Sequence, residues 1–188
     1  MGTAKAWIPI GPETMLQRMV RILGEVVRPV VVSSRAGQEL PDLPPWAHVV
    51  CDRHEDCGPM EGLAAALEWL QDRAELAFVA GCDAPLLRPA FVRRMLDLAG
   101  GFDIAVPHLD GFDEPLTAVY RVRLAADFRA ALEAGERRIA AIFDRVATRR
   151  VTADELRDVD PDLESLLNIN DPAAYRAVQE RLAAAERN

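Results

Sequence analysis

Short runs of consecutive apolar residues alternate along the chain with longer stretches whose apolar residues recur at helical spacing. Apolar runs at residues 29–33, 48–51, 76–80, 104–106 and 115–121 predict strands, and residues 149–151 predict an edge strand. Apolar residues three and four positions apart predict helices over residues 14–27, 59–74, 89–99, 124–134 and 137–146, and a terminal helix from residue 172. Capping supports three of these helices, because Thr14 and Gln17 form a capping box, Pro89 opens one helix and Asp171-Pro172 opens the last. This alternation predicts an α/β fold.

The stretch at residues 76–87 carries the most information about function. Its first five residues are apolar, which is typical of a strand buried on both faces in the middle of a mostly parallel sheet. The run then stops at Asp83, between Gly81 and Pro85, so a carboxylate lies at the carboxyl end of a strand, where open α/β sheets bind ligands. Asp52 ends the strand at 48–51 in the same way. On this stretch alone, Asp83 is either a metal-nucleotide ligand or the cap of the helix that begins near Arg88.

Composition excludes several classes of protein. The 188 residues are half apolar, enough for one domain spanning residues 1–188. The 30 acidic and 22 basic residues give a net charge of -8, which argues against nucleic-acid and anionic-membrane partners. No apolar run reaches the roughly 20 residues of a membrane span, so we expect a cytoplasmic protein. Cys51, Cys57 and Cys82 are most simply reduced thiols, although Cys51, His54 and Cys57 present soft ligands at intervals of three, as zinc sites do.

Five local motifs, in the same order, resemble those of the molybdenum cofactor guanylyltransferases, the MobA family, over nearly the whole chain. They are Met1-Gly2 with Lys5; Asp52 with Gly58-Pro59 and Gly62-Leu63; Cys82-Asp83 with Pro85; Gly135-Glu136-Arg137-Arg138; and Asn168-Ile169-Asn170-Asp171-Pro172. Met60 and Glu61 depart from the second motif, where the family has Leu-Ala.

The resemblance implies a three-layer, Rossmann-like nucleotidyltransferase fold with a mostly parallel central sheet and helices on both faces. It implies an enzyme that uses Mg²⁺ to transfer GMP from GTP to molybdopterin and releases pyrophosphate. GTP and molybdopterin would be its small-molecule partners. A molybdenum-insertion or acceptor enzyme would be a protein partner that receives the product.

The resemblance also assigns roles to individual residues. Asp83 would bind the metal and act with Lys5 in catalysis, the nucleotide site would comprise Gly2, Lys5, Ser33, Asp52 and Asp83, and the pterin or the metal's water shell would meet Arg137, Asn168 and Asn170. The chemistry of these residues agrees, because Mg²⁺ prefers hard oxygen ligands and a lysine ammonium is a compact charge for phosphates. Each role has a purely structural alternative: a solvated lysine, a turn aspartate, or asparagines that form turns.

By comparison with the family, we expect a first strand and a glycine-rich, phosphate-binding loop ahead of Met1, about 15 to 20 residues in all. Without the backbone donors of that loop, little activity is expected. A truncated, inactive relative that binds a nucleotide or a partner is the alternative from a different class. Among enzymes, the alternative is transfer of CMP to molybdopterin or of a nucleotide to a sugar phosphate, since Ser33, Ser34 and Asp52 leave the choice of base open.

Overall fold

The computed structural model describes residues 5–54 and 57–185. A 3-10 turn at Lys5–Trp7 leads into a short hairpin of β1 (Pro9–Ile10) and β2 (Glu13–Thr14). The elements that follow are α1 (Met15–Gly24), β3 (Val30–Ser34), β4 (Ala47–Cys51), α2 (Pro59–Leu70), β5 (Leu76–Ala80), α3 (Pro89–Leu98), β6 (Ile104–Leu109), β7 (Phe112–Asp113), β8 (Thr117–Arg121), α4 (Ala125–Glu133), β9 (Thr148–Thr152) and α5 (Pro172–Ala185).

The strands form a mixed arrangement rather than the mostly parallel sheet that the sequence predicted. β3 and β4 pair in parallel, while a five-stranded sheet runs in the order β5-β8-β6-β7, with β9 parallel to β6. Within that sheet β8 is antiparallel to both β5 and β6. The departure arises because the chain returns from β6 through the short strand β7 instead of through a crossover helix, and such a return places the next strand antiparallel.

Helices cover both faces of the strands, which confirms the predicted α/β class. On one face, Phe91, Val92 and Met95 of α3 pack with α1 against β6, β8 and β9. On the other face, α2 and α4 enclose a second cluster around Tyr120 and Phe128, which are both fully buried. No described helix is long and apolar enough to cross a membrane.

Most predicted element boundaries agree with the structure to within a few residues. The capping box at Thr14 is formed, with the Thr14 side chain accepting from Gln17 N and the Gln17 side chain accepting from Thr14 N. The helix predicted at 137–146 is instead a 3-10 helix at Ile139–Arg145. It starts late because the Glu136 carboxylate binds the amides of Arg137 and Arg138, which holds that segment in a turn.

β3 and β5 face each other across an open slot. Among the described residues, β3 pairs only with β4 and β5 pairs only with β8. The prediction that residues 76–80 lie in the middle of a sheet is therefore wrong for the described chain, because β5 is an edge strand with half-buried residues. A cavity of about 690 Å³ follows the slot, and the candidate site lies at its mouth.

Candidate active site

Three polar side chains from distant parts of the chain meet at the carboxyl end of β5. The Nζ atom of Lys5 lies 2.6 Å from Oδ2 of Asp83 and 2.8 Å from Oδ1 of Asn170. The Lys5 side chain is 44% exposed and that of Asp83 is 20% exposed, so the cluster is open to solvent on the lysine side. The Lys5 ammonium and the two oxygens that accept from it thus converge on one point at the edge of the cavity.

The loop after β5 places Asp83 by close backbone packing. A Cβ atom at Gly81 would lie 2.6 Å from Oδ1 of Asp83, so a side chain there would force the carboxylate away. The Arg18 Nε atom donates to the carbonyl of Pro85 at 2.7 Å, which ties this loop to α1. The sequence Gly81-Cys82-Asp83-Ala84-Pro85 therefore turns at a fixed point, and Asp83 is directed to the cavity.

A buried isoleucine brings Asn170 to the same place. Ile169 is fully buried in a small cluster with Ile10 and Met15, and its amide donates to the carbonyl of Asp83 at 2.8 Å. The following helix α5 is capped by Asp171, whose Oδ1 accepts from the amides at 173 and 174. Backbone and side-chain anchors on both sides of Asn170 therefore hold its amide group next to Lys5.

A second group of site residues lies on the other wall of the cavity. Asp52 continues the pairing of β3 with β4, because its amide donates to the carbonyl of Ser34 at 2.9 Å. A Cβ atom at Gly62 would overlap Oγ of Ser33 and lie 3.6 Å from Oδ1 of Asp52. Glycine at this position lets α2 approach the strand ends closely, and so brings Ser33 and Asp52 to one wall.

The Asp52 carboxylate has an unusual environment. Its Oδ1 atom is buried and has no hydrogen-bond partner among the described residues. Burial, assisted by the charge of nearby Glu61, raises the pKa of Asp52 above its ordinary value, while Arg35 acts in the opposite direction. A buried acceptor without a donor costs stability unless a ligand supplies one.

The cavity joins the two groups of residues. Its lining includes Lys5, Ser33, Asp52 and Asp83, together with Gly58 and Pro59 at the start of α2. The amino end of this 12-residue helix therefore opens on the site, where its partial positive charge favours an anion. Cys82 also lines the cavity. Its burial and then the charge of Asp83 raise the pKa of its thiol to about 11, so this thiol is neutral at pH 7.

The remaining predicted residues lie apart from this cluster. Asn168 is exposed to solvent, and Arg137 donates to the carbonyls of Leu132 and Glu136 at 2.8 Å, in its own turn. Neither residue lines the cavity. Gly2 lies outside the described residues.

Sequence reasoning missed the ion-pair network behind Asp52. Glu61 is fully buried, and both of its oxygens accept from Nη1 of Arg129, at 2.8 and 2.9 Å. Arg129 also donates from Nε to Glu68 at 2.9 Å, and Arg53 pairs with Glu68 at 2.8 Å. The sequence signal for this network was the acidic residue Glu61, at a position where the family that the sequence resembles has an apolar residue.

The donor set suits a hard divalent cation. No group of three or more His, Cys, Asp or Glu side chains in residues 5–54 and 57–185 is arranged to hold a metal ion by itself. The oxygens of Asp83 and Asn170, however, already converge on the ammonium of Lys5. One carboxylate with a neutral oxygen donor matches Mg²⁺, which takes few protein ligands and completes its shell with water and substrate phosphates.

Comparison with known proteins agrees with this fold and shows the family. The model of the MobA-like NTP transferase domain matches residues 1–151. A protein of Methanosarcina mazei called probable molybdenum cofactor guanylyltransferase is 32% identical over 176 residues, covering 88% of this chain and 78% of that protein. A Mycobacterium tuberculosis protein of the same name is 35% identical over 185 residues, covering 94% of this chain and 86% of that protein.

Solved structures show the same fold. The molybdopterin-guanine dinucleotide biosynthesis protein A of Archaeoglobus fulgidus superposes with a TM-score of 0.79 at 22% identity, covering 97% of this chain and 92% of that one. The 2-C-methyl-D-erythritol 4-phosphate cytidylyltransferase of Thermus thermophilus gives 0.73 at 16% identity, covering 95% and 94%. Fold, site and relatives together define a nucleotidyltransferase. More narrowly, the chain belongs to the MobA-like NTP transferase family.

Proposed function

We propose that this protein is a molybdenum cofactor guanylyltransferase, which transfers GMP from GTP to molybdopterin with release of pyrophosphate. The observation that carries the proposal is the meeting of Lys5, Asp83 and Asn170 at the mouth of a cavity whose other wall presents Asp52. The site offers a cation, oxygen ligands for a metal and an unsatisfied acceptor, gathered near the carboxyl ends of β4 and β5. The names of relatives that are 32% and 35% identical support the choice of substrates.

Asp83 and Asn170 are the residues that would hold Mg²⁺ in this proposal. The metal would neutralise phosphate charge and orient the α- and β-phosphates. Lys5, already 2.6 Å from the Asp83 carboxylate, would turn to the phosphates and offset the charge that grows at the α-phosphate during attack. The Lys5 side chain is 44% exposed, which leaves it room for this change of contact.

Asp52 would bind the nucleoside. Its buried Oδ1 atom has no donor among the described residues, and an N–H or O–H group of the nucleoside would supply one. Guanine suits this position because its ring N–H and its amino group are adjacent donors, which together match one carboxylate. Ser33, on the same wall, would add a hydroxyl that can donate or accept.

The site leaves room for a second, anionic substrate. Gly58 and Pro59 at the amino end of α2 line the cavity between the two walls, where backbone dipoles favour phosphate. The molybdopterin phosphate would attack the α-phosphate of GTP, its oxygen forming the new P–O bond while the bond to pyrophosphate breaks. Asn168 and Arg137, which lie outside the cavity in the described chain, would contact molybdopterin only if their segments move.

The test is a pyrophosphate-release assay with Mg²⁺, molybdopterin and each of the four NTPs. It is run on the 188-residue chain, and the same mixtures without protein serve as the blank. We expect release with GTP, dependent on both molybdopterin and Mg²⁺. Release with CTP and not with GTP would refute the guanylyl assignment, and binding of GTP without release would favour an inactive relative.

A further inference from the structure

The Asp52 residue is held by backbone hydrogen bonds on both of its sides. Its own amide donates to the carbonyl of Ser34 at 2.9 Å. The amide of the next residue, Arg53, donates to Oε1 of Glu61 at 3.1 Å. Because these bonds restrain the peptide groups before and after Asp52, they limit its φ and ψ angles. The direction of the Asp52 side chain therefore depends on Glu61 as well as on the pairing of β3 with β4.

Glu61 reaches the Arg53 amide from the first turn of α2, where it is fully buried. This turn also packs against the Asp52 carboxylate, since a Cβ atom at Gly62 would lie 3.6 Å from Oδ1 of Asp52. The negative charge of Glu61 disfavours a charged Asp52 beside it. Without a backbone restraint, that repulsion would favour movement of the Asp52 side chain toward solvent.

Arg129 of α4 in turn fixes Glu61. Its Nη1 atom donates to both Glu61 oxygens, and its Nε and Nη2 atoms donate to Glu68 at 2.9 and 3.2 Å. Stability alone does not explain this network, since apolar residues commonly replace a buried ion pair without net loss. An apolar side chain at position 61, however, could not accept the Arg53 amide. Glu61 is also one of the two residues that depart from the second motif, so this contact is particular to the present chain.

We propose that Glu61 is a positioning residue for the nucleotide site, which acts through the Arg53 amide to hold the Asp52 carboxylate on the cavity wall. The effect on nucleotide binding rests on the proposed function, whereas the anchoring of Arg53 does not. A carboxylate that is ordered before the nucleotide arrives reduces the ordering cost of binding. The contribution of Glu61 is therefore expected in the affinity for nucleotide.

Two substitutions separate the acceptor at position 61 from its charge. Glu61→Leu removes both, while Glu61→Gln removes the charge and keeps an acceptor oxygen. In each variant Arg129 keeps Glu68 as a carboxylate partner. Glu68→Gln is the matched control, because it removes a charge from the same network and leaves the Arg53 amide bonded to Glu61.

Amide hydrogen exchange without nucleotide tests the anchor. We expect the Arg53 amide to exchange at least about tenfold faster in Glu61→Leu than in the parent, and within about twofold of the parent in Glu61→Gln and Glu68→Gln. The amide of Leu67, in the middle of α2, should exchange equally in all four proteins and so show that the helix stays folded. If Glu61→Leu does not fold, Glu61→Leu with Arg129→Met takes its place, since it leaves no unpaired charge at the pair.

Calorimetry with Mg²⁺ and the NTP that the parent binds most tightly tests the positioning role. The dissociation constant should rise about tenfold in Glu61→Leu, because binding must then order Asp52. Affinity should stay near that of the parent in Glu61→Gln and Glu68→Gln. Glutamine and leucine are similar in size, so a role of Glu61 in packing alone would not produce this rescue.

Equal exchange of the Arg53 amide in the parent and in Glu61→Leu would overturn the anchor. Faster exchange with an unchanged dissociation constant would overturn the positioning role. An equal loss of affinity in Glu61→Gln and Glu61→Leu would do the same, since it would assign the effect to the charge of Glu61. A parent that binds no NTP would refute the proposed function and the positioning role with it, while the exchange rates would still decide whether Glu61 anchors Arg53.

Discussion

The ammonium of Lys5 lies 2.6 Å from the carboxylate of Asp83, although 78 residues separate the two along the chain. The contact joins the start of the described chain to the end of β5, and Asn170 completes it from just ahead of the last helix. An ion pair this exposed adds little to stability, since side chains open to water are screened. Its position at the mouth of the cavity therefore points to ligand binding as the reason for this arrangement.

Lys5 can be followed chemically because the sequence has no other lysine. Acetylation by an N-hydroxysuccinimide ester should modify Lys5, and Mg²⁺ with GTP at ten times its dissociation constant should slow that reaction roughly tenfold by occupancy alone. Mass spectrometry of proteolytic fragments measures the rate. As a reference, Arg93→Lys places a lysine on the exposed side of α3, and its rate should not respond to nucleotide. Equal rates at Lys5 with and without nucleotide would argue against phosphate binding there.

Asp83→Asn should abolish turnover and leave the fold intact. The amide has the shape of the carboxylate but no charge, so it would bind Mg²⁺ poorly, and we expect a loss of about a hundredfold or more in pyrophosphate release. Circular dichroism and the thermal midpoint should stay near the values of the parent protein. Asp97→Asn, which changes an exposed carboxylate on α3, is the matched control and should keep full activity. Retained activity in Asp83→Asn would count against a metal at that position.

Local signals explain how much of the site could be predicted from sequence. Gly81 and Pro85 force a turn around Asp83, so the sequence correctly predicts Asp83 just after the end of β5. Asp171-Pro172 fixes the start of α5, so the sequence also correctly predicts where that helix begins. The meeting of Lys5, Asp83 and Asn170 was expected only through family resemblance. Their roles in catalysis and metal binding stay predictions.

The parts that sequence could not supply depend on pairing between distant segments. Five apolar residues at 76–80 predict a strand but not its neighbours, and β8 joins β5 antiparallel, a choice that no residue of β5 specifies. Likewise, the ion pair of Glu61 with Arg129 spans 68 residues and gives no periodic signal. β5 is an edge strand because, among the described residues, only β8 pairs with it. That arrangement is set by residues outside β5.

Asp52→Asn should stabilise the protein and weaken nucleotide binding. Burial raises the pKa of Asp52, so as pH rises the unfolded chain loses this proton before the folded chain does, and stability falls from about the unfolded pKa of 3.8 upward. The neutral amide avoids that loss. The variant should therefore match the parent below this range and exceed it at pH 7, by on the order of 1 kcal/mol.

Urea unfolding at pH 3 and pH 7 measures the difference, and calorimetry with Mg²⁺ and GTP measures the binding. The exposed control Asp97→Asn should show neither effect. A variant at position 52 that is less stable at neutral pH would mean that the Asp52 carboxylate has a stabilising partner in solution. A variant that binds GTP as tightly as the parent would remove Asp52 from the nucleotide site.

Arg129→Met should destabilise the protein by about 3 to 5 kcal/mol, because it removes the guanidinium nitrogen that donates to both oxygens of the fully buried Glu61 carboxylate. Burial by itself would raise the pKa of Glu61, but hydrogen bonds from Arg129 and the amide of Arg53 lower it overall. The stability that this pair contributes is thus present above the unfolded pKa of about 4.5 and is lost as pH falls. Urea midpoints of the parent and the variant should therefore differ most at neutral pH.

A second substitution separates the pair from the packing around it. Adding Glu61→Leu to Arg129→Met removes the stranded charge, and most of the lost stability should return, since apolar groups commonly replace a buried ion pair without net cost. Arg93→Met, at an exposed position on α3, should change the urea midpoint very little. A loss below about 1 kcal/mol in Arg129→Met alone would mean that Arg53 or His54, already 3.5 Å from Glu61 through its ring nitrogen, takes over the carboxylate. In that case Glu61 would keep a cationic partner and its negative charge. That charge would continue to raise the pKa of Asp52 in the variant.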